Sequence, residues 1–209
     1  MSCNTFQDCL ISLTWEMVEE QGKKTGFKKT KNKHIQPTTI LEFDNYPCKN
    51  IERLRKCVAY AGKRSSLRCS ENGKTYTLDK KDWDFESICY HVDGGIIEKN
   101  DAQTRCDYAL FLKDSSEKGT GTTILVELKG GDTKKALSQI KETLAMELFR
   151  NVPKIYKRVY GRIVAASSVP RIQNTNEFVD LKTILMKLGG NLKIKEKEFV
   201  ESYADLDRF

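Results

Sequence analysis

Asp107, Glu127 and Lys129 are the residues of this 209-residue chain whose types and spacing best suit chemistry. They sit in two strongly apolar runs, Arg105 to Lys113 (RCDYALFLK) and Thr122 to Lys129 (TTILVELK). A carboxylate inside such a run is normally avoided, because burying it without a partner is costly. On a strand alternate residues share a face, so Glu127 and Lys129 point one way and Leu128 the other. If Asp107 faces the same side of the neighbouring strand, two acids and an ammonium meet in one pocket. Two hard oxygen ligands invite Mg2+, and a lysine beside them positions or activates a water. The alternative for the triplet is an ordinary ion pair at a strand end.

The elements that must position these residues are readable in outline. The two runs are rich in β-favouring residues and flank the turn-rich segment Ser115 to Gly121, so they should be neighbouring strands. Gly130-Gly131-Asp132 then turns the chain into a helix from about Thr133 to Phe149, with Asp132 as N-cap and Leu137, Ile140, Leu144 and Leu148 as its buried stripe. Arg158 to Ser167 reads as a buried strand, Glu177 to Leu188 as a helix, and Asn191 to Val200 as a final strand or two. Upstream, Asn50 caps an expected helix from Ile51 to Ala61. Asn72-Gly73 marks a hairpin turn before a strand at Lys74 to Leu78, and Ser87 to Ile97 reads as a strand bent at Gly94-Gly95. Sequence neighbours are expected to pair as a meander, with the helix after Lys129 making the crossover to Arg158. The expected fold class is α/β, a central mixed sheet flanked by helices.

Thr5 to Gln21 reads as a helix with Phe6, Leu10, Leu13 and Met17 on one stripe, followed by a lysine-rich segment. Residues 1–36 are therefore expected to form an appendage, and 37–209 the main domain. Gln21 to His34 holds six lysines and no acid, which is nearly all of the net charge of +7. A second basic cluster spans Glu52 to Arg68. Such patches suit a phosphate backbone, although a lysine-rich loop also serves solubility alone. No apolar run approaches the length of a membrane helix, and the N-terminus lacks a signal-peptide pattern. A cytoplasmic protein without membrane partners is expected. The seven cysteines form no CxxC pair; buried reduced thiols are expected rather than zinc ligation by Cys48, Cys57 and Cys69. The two histidines, His34 and His91, sit in no recognisable motif.

An acid opening one strand, an E-x-K triplet ending the next and a patterned helix behind it resemble the PD-(D/E)XK nuclease superfamily, which includes restriction endonucleases and Holliday junction resolvases. The match rests on Asp107 in RCDYALF, on Glu127, Leu128 and Lys129 in ILVELKGGD, and on Gln139 in KKALSQIKETL. It covers roughly Ile51 to Ser167. Cys106 stands where the named pattern has proline. The resemblance implies a restriction-endonuclease-like core and a Mg2+-dependent endonuclease, with Mn2+ as a substitute metal. It implies Asp107, Glu127 and the Leu128 carbonyl as metal ligands, Lys129 as the residue that orients or deprotonates water, and Gln139 as a contact to Lys129 or a phosphate. Glu52, Asp93 and Glu98 are candidates for a further acid. DNA is the implied substrate and RNA the alternative, in defence, recombination or repair; a homodimer would let two sites cut both strands. A catalytically silent member of the same fold, acting as a nucleic-acid-binding or interaction module, is the rival reading.

Overall fold

A computed structural model describes residues 51–62, 65–79, 85–114, 121–146, 149–150, 156–166 and 172–208, with Phe6, Leu10 and Thr14 individually. The lysine-rich segment, the rest of residues 1–36, and the stretch before Ile51 lie outside the described residues. No helix among the described residues is long and apolar enough to cross a membrane.

The chain enters through α1 (Ile51–Cys57), which is shorter than its periodicity suggests, because Val58 begins β1 (Val58–Gly62). A helix continuing to Ala61 is what the sequence predicts. Val58 and Tyr60 instead bury their side chains on an edge strand paired antiparallel with β4 (Phe85–His91). Val and Tyr favour the pleated surface, and here tertiary pairing overrides the helical stripe. Between them, Asn72 and Gly73 adopt positive φ (48° and 72°), as a two-residue I′ turn requires. This turn joins β2 (Ser66–Glu71) to β3 (Lys74–Asp79) in register, with Glu71 opposite Lys74.

The large sheet continues from β4 to β5 (Tyr108–Asp114) and β6 (Gly121–Leu128), all antiparallel, then to β7 (Tyr156–Ala165) and β8 (Leu192–Glu196), both parallel to β6. Helix α2 (Thr133–Ala145) carries the chain from β6 to β7, and α3 (Asn176–Lys187) from β7 to β8. The strand order is β1-β4-β5-β6-β7-β8, a mixed sheet flanked by α-helices. Every residue of β6 is buried, as expected of a strand covered on both faces.

Two expectations fail here. The strand beginning at Ser87 does not bend and continue to Ile97. It ends at His91, because the chain folds back so tightly that a Cβ on Gly95 would lie 2.2 Å from the His91 carbonyl oxygen. Nor does β3 pair with the next strand in sequence. It pairs in parallel with β9 (Glu198–Ser202), giving a second sheet of order β2-β3-β9. Lys197, at φ 62°, makes the sharp turn by which the chain leaves β8 and enters this small sheet.

Gly161 on β7 shows how the layers stack. A Cβ there would lie 2.9 Å from side-chain carbons of both Leu185 and Leu192 and 3.6 Å from Ile140, so its missing side chain lets α2 and α3 approach that face. Its neighbour Arg162 points to the other face and meets Glu201 of the small sheet. Phe6, Leu10 and Thr14 are helical; Leu10 is buried in the core and the Thr14 hydroxyl lies 2.8 Å from that of Tyr90.

Candidate metal centre

Strand pairing brings the sequence-selected residues together. Tyr108 is opposite Val126, so Asp107 stands beside the end of β6. The Leu128 N–H closes the gap by donating to Asp107 Oδ2 at 2.7 Å. Alternation along β6 puts Glu127 and Lys129 on the face covered by α2, with Lys129 Nζ 4.0 Å from Glu127 Oε1. Leu128 points its side chain the other way, and its carbonyl faces the same strand edge as its N–H, toward Asp107.

Helix α2 supplies the fourth member. Asp132 caps it by accepting from the Lys135 N–H at 2.9 Å, which satisfies one of the open donors of the first turn. Gln139 then lies over the strand ends. Its Oε1 accepts from Lys129 Nζ at 3.0 Å, and its Nε2 donates to the Arg105 carbonyl at 2.7 Å. One turn on, the Thr143 hydroxyl donates to the Gln139 carbonyl and accepts from the Cys106 N–H. Asp107, Glu127, Lys129 and Gln139 thus share one pocket, with Leu128 in its wall.

The electrostatics of the pocket are those of a site short of positive charge. Burial pushes the Asp107 carboxyl up to about 6, and the charges of Glu71 and Asp93 add to that, against the opposing Leu128 N–H and Lys129. Glu127 is raised well above the usual carboxylate range, first by burial and then by Asp107, with Lys129 opposing. At 4.0 Å the Lys129 ammonium opposes that desolvation without offsetting it. Glu127 is 1% exposed, and its Oε2 has no hydrogen-bond partner among the described residues. A buried oxygen of this kind costs about 1–3 kcal/mol and calls for an explanation.

A divalent cation fits this donor set. Two carboxylates and a carbonyl are hard oxygen donors, and Glu127 Oε2 has no partner among the described residues. Among the described residues no three His, Cys, Asp or Glu side chains converge as a metal-holding group. That does not exclude Mg2+, which is commonly held by one or two carboxylates and keeps several waters.

The remaining candidates fall outside this core. Asp93 is bound by the Arg105 guanidinium, although its charge still reaches Asp107. Glu98 is exposed and 3.9 Å from Arg53, and Glu52 is exposed. His91 lies against the Tyr108 ring on the opposite face of the sheet, with burial lowering its pKa. His34 and Cys48 lie outside the described residues; Cys57, Cys69, Cys89 and Cys106 are free buried thiols. Glu71 was not singled out by sequence, yet its charge raises both Asp107 and Glu127. The Asn-Gly turn located the hairpin end that carries Glu71. Only the second sheet brings that end within electrostatic range of the two carboxyls.

Comparison with known proteins adds no relative: no family model, no curated protein and no solved structure matches the chain.

Proposed function

We propose that this protein is a divalent-metal-dependent nuclease with a restriction-endonuclease-like core, hydrolysing DNA phosphodiester bonds at the Asp107–Glu127–Lys129 pocket. The observation that carries the reading is the buried Glu127 carboxyl, one oxygen of which has no partner, set beside Asp107 and an ammonium held by Gln139. Asp107, Glu127 and the Leu128 carbonyl would hold Mg2+, with Mn2+ as a substitute. A metal held by these residues would supply a hydroxide-like nucleophile and offset charge on the phosphoryl oxygens. A cation bound there would favour the ionised form of the Glu127 carboxyl. Lys129 spends one N–H on Gln139 Oε1 and keeps two for a water and a phosphate oxygen. Gln139 fixes that division by anchoring its own amide on the Arg105 carbonyl.

DNA is favoured over RNA by the resemblance to the superfamily, and the lysines of Gln21 to His34 would add backbone affinity. The test incubates the protein with plasmid, single-stranded DNA and RNA, in Mg2+ or Mn2+ and then in EDTA. Metal-dependent cleavage that disappears in Lys129→Ala while binding persists supports the nuclease. Binding without cleavage of any substrate would sink it in favour of a silent nucleic-acid-binding module. Cleavage confined to RNA would redirect the substrate and keep the pocket.

A further inference from the structure

The loop between β4 and β5 is organised around one guanidinium. Arg105 Nε and Nη2 donate to Asp93 Oδ1 at 2.9 and 2.7 Å. Nη1 donates to the carbonyls of Asp101 and Gln103, and Nη2 also to those of Glu98 and Lys99. The loop wraps the side chain until only a tenth of it is exposed. A planar fork with five N–H donors can gather such a ring of oxygens, whereas a lysine ammonium has only three donors and no fixed plane. The loop stem is tied separately, by the Val92 N–H donating to the Asp107 carbonyl at 2.8 Å.

The main chain of the same residue reaches the pocket. The Arg105 carbonyl accepts from Gln139 Nε2, and the next N–H, that of Cys106, donates to Thr143 Oγ1 at 2.8 Å. Thr143 returns to Gln139 through its carbonyl at 2.7 Å. Both polar ends of the one Arg105–Cys106 peptide group are therefore clasped by one face of α2, and Asp107 follows Cys106. Resting on the nuclease reading above, we propose that Arg105 is a positioning residue: its side chain sets the loop, and its clasped main chain holds Asp107 against Leu128 and, through Gln139, Lys129 beside Glu127. Arg105 touches neither substrate nor metal in this role. Thr143 is its partner on the helix.

The test compares wild type with Arg105→Ala, Arg105→Lys and Thr143→Val, the last being near-isosteric and able to carry the test if Arg105→Ala does not fold. Three readouts are taken: kcat and KM for DNA cleavage, Mn2+ affinity by calorimetry, and hydrogen exchange at the Cys106 amide. Misplacing a reacting group by about an ångström costs up to roughly a hundredfold in rate. The expected result is a kcat about tenfold or more lower with KM little changed, weaker Mn2+ binding and faster Cys106 exchange. Arg105→Lys should recover little of this, because charge without the fork cannot rebuild the loop. Faster exchange with wild-type kcat and Mn2+ affinity would make Arg105 a loop-stability residue and overturn the proposal, as would no change in any readout. A wild type that cleaves nothing is a different failure: the nuclease reading falls. Weakened Mn2+ binding together with faster exchange in the variants then still supports the clasp.

Discussion

Two regions of this protein bury charge, and they handle it in opposite ways. Between the two sheets, Arg162 is completely buried, yet its guanidinium donates to Glu201, to Asn191 Oδ1 at 2.8 Å, and to the carbonyls of Gly161, Asn191 and Leu206. Glu201 in turn accepts from Tyr76 Oη at 2.9 Å and from Lys193 Nζ at 3.4 Å. The cluster ties β7 to β3, β9 and the C-terminal turn, with partners on both members of the ion pair. Beside the ends of β5 and β6, by contrast, Asp107 adds to the upward shift of the buried Glu127, Lys129 Nζ stands 4.0 Å from Glu127 Oε1, and Glu127 Oε2 has no hydrogen-bond partner among the described residues. Buried charge with its partners present is architecture. A buried carboxyl that lacks one is what the proposed metal site would explain.

The sharpest way to break this contrast is at Lys129. Lys129→Ala should lower metal-dependent cleavage by about 10³-fold while the melting temperature barely moves, in line with loss of a donor aimed at developing charge. A comparable fall in stability would mean the lysine is structural and the contrast is wrong. The two glutamates should then respond with opposite signs. Glu201→Gln leaves a buried guanidinium without its counter-charge, and breaking a buried pair costs about 3–5 kcal/mol. Glu127→Gln removes a carboxyl that the metal-free fold resists ionising, so in EDTA at neutral pH it should stabilise by about 1–3 kcal/mol while abolishing cleavage. Urea denaturation of both variants reads the two signs directly.

The pocket was more legible in the sequence than the rest of the fold, for a physical reason. Glu127, Leu128 and Lys129 are related by strand alternation, and Asp132 caps a helix through its own backbone. Both are local rules, and both are met. Asn72-Gly73 announced its turn for the same reason. What failed depended on distant partners. Val58 to Gly62 carries a helical stripe and also β-favouring residues, and only the edge of β4 decides between them. Nothing near Lys74 to Asp79 indicates that its partner is Glu198 to Ser202, so the second sheet went unread. Glu71 and Thr143 were missed with it, because their importance comes from where the hairpin and the helix dock.

The pH dependence of the metal-free protein extends the comparison. Asp107 has a folded pKa raised from 3.8 to about 6, so in that window the native state binds more protons than the unfolded chain. Stability must therefore fall as pH rises through the window, being highest at its acid end. The full contribution of this group is about 3 kcal/mol, at about 1.36 kcal/mol per unit. Glu127, also raised, extends the loss to higher pH. The measurement is the difference in melting temperature between wild type and Asp107→Asn across pH in EDTA, which cancels the groups that do not interact with Asp107 and leaves its coupling to Glu127 in the difference. Adding Mg2+ should restore stability most at the alkaline end, where it competes with fewer protons. A wild-type curve parallel to that of Asp107→Asn would mean that the carboxyl is not strained by its burial.

The smallest expected effect lies in the satisfied cluster. Tyr76 contributes one donor to Glu201, which keeps Arg162 and Lys193 when the hydroxyl is removed. Tyr76→Phe preserves the ring that packs edge-on against Phe199 at 5.5 Å. It should cost only about 1 kcal/mol, the net value of one hydrogen bond whose acceptor retains other donors. Cleavage and its metal dependence should be unchanged, since Tyr76 lies in the small sheet and bonds Glu201 on the Arg162 side of the large sheet, whereas Lys129 faces α2. A large loss of stability would show that the Tyr76 hydroxyl, rather than the guanidinium, holds Glu201 in place. The inter-sheet cluster would then be as finely balanced as the pocket. A loss of cleavage without a loss of stability would be more damaging, because it would couple the two regions that the fold keeps on opposite faces of one sheet.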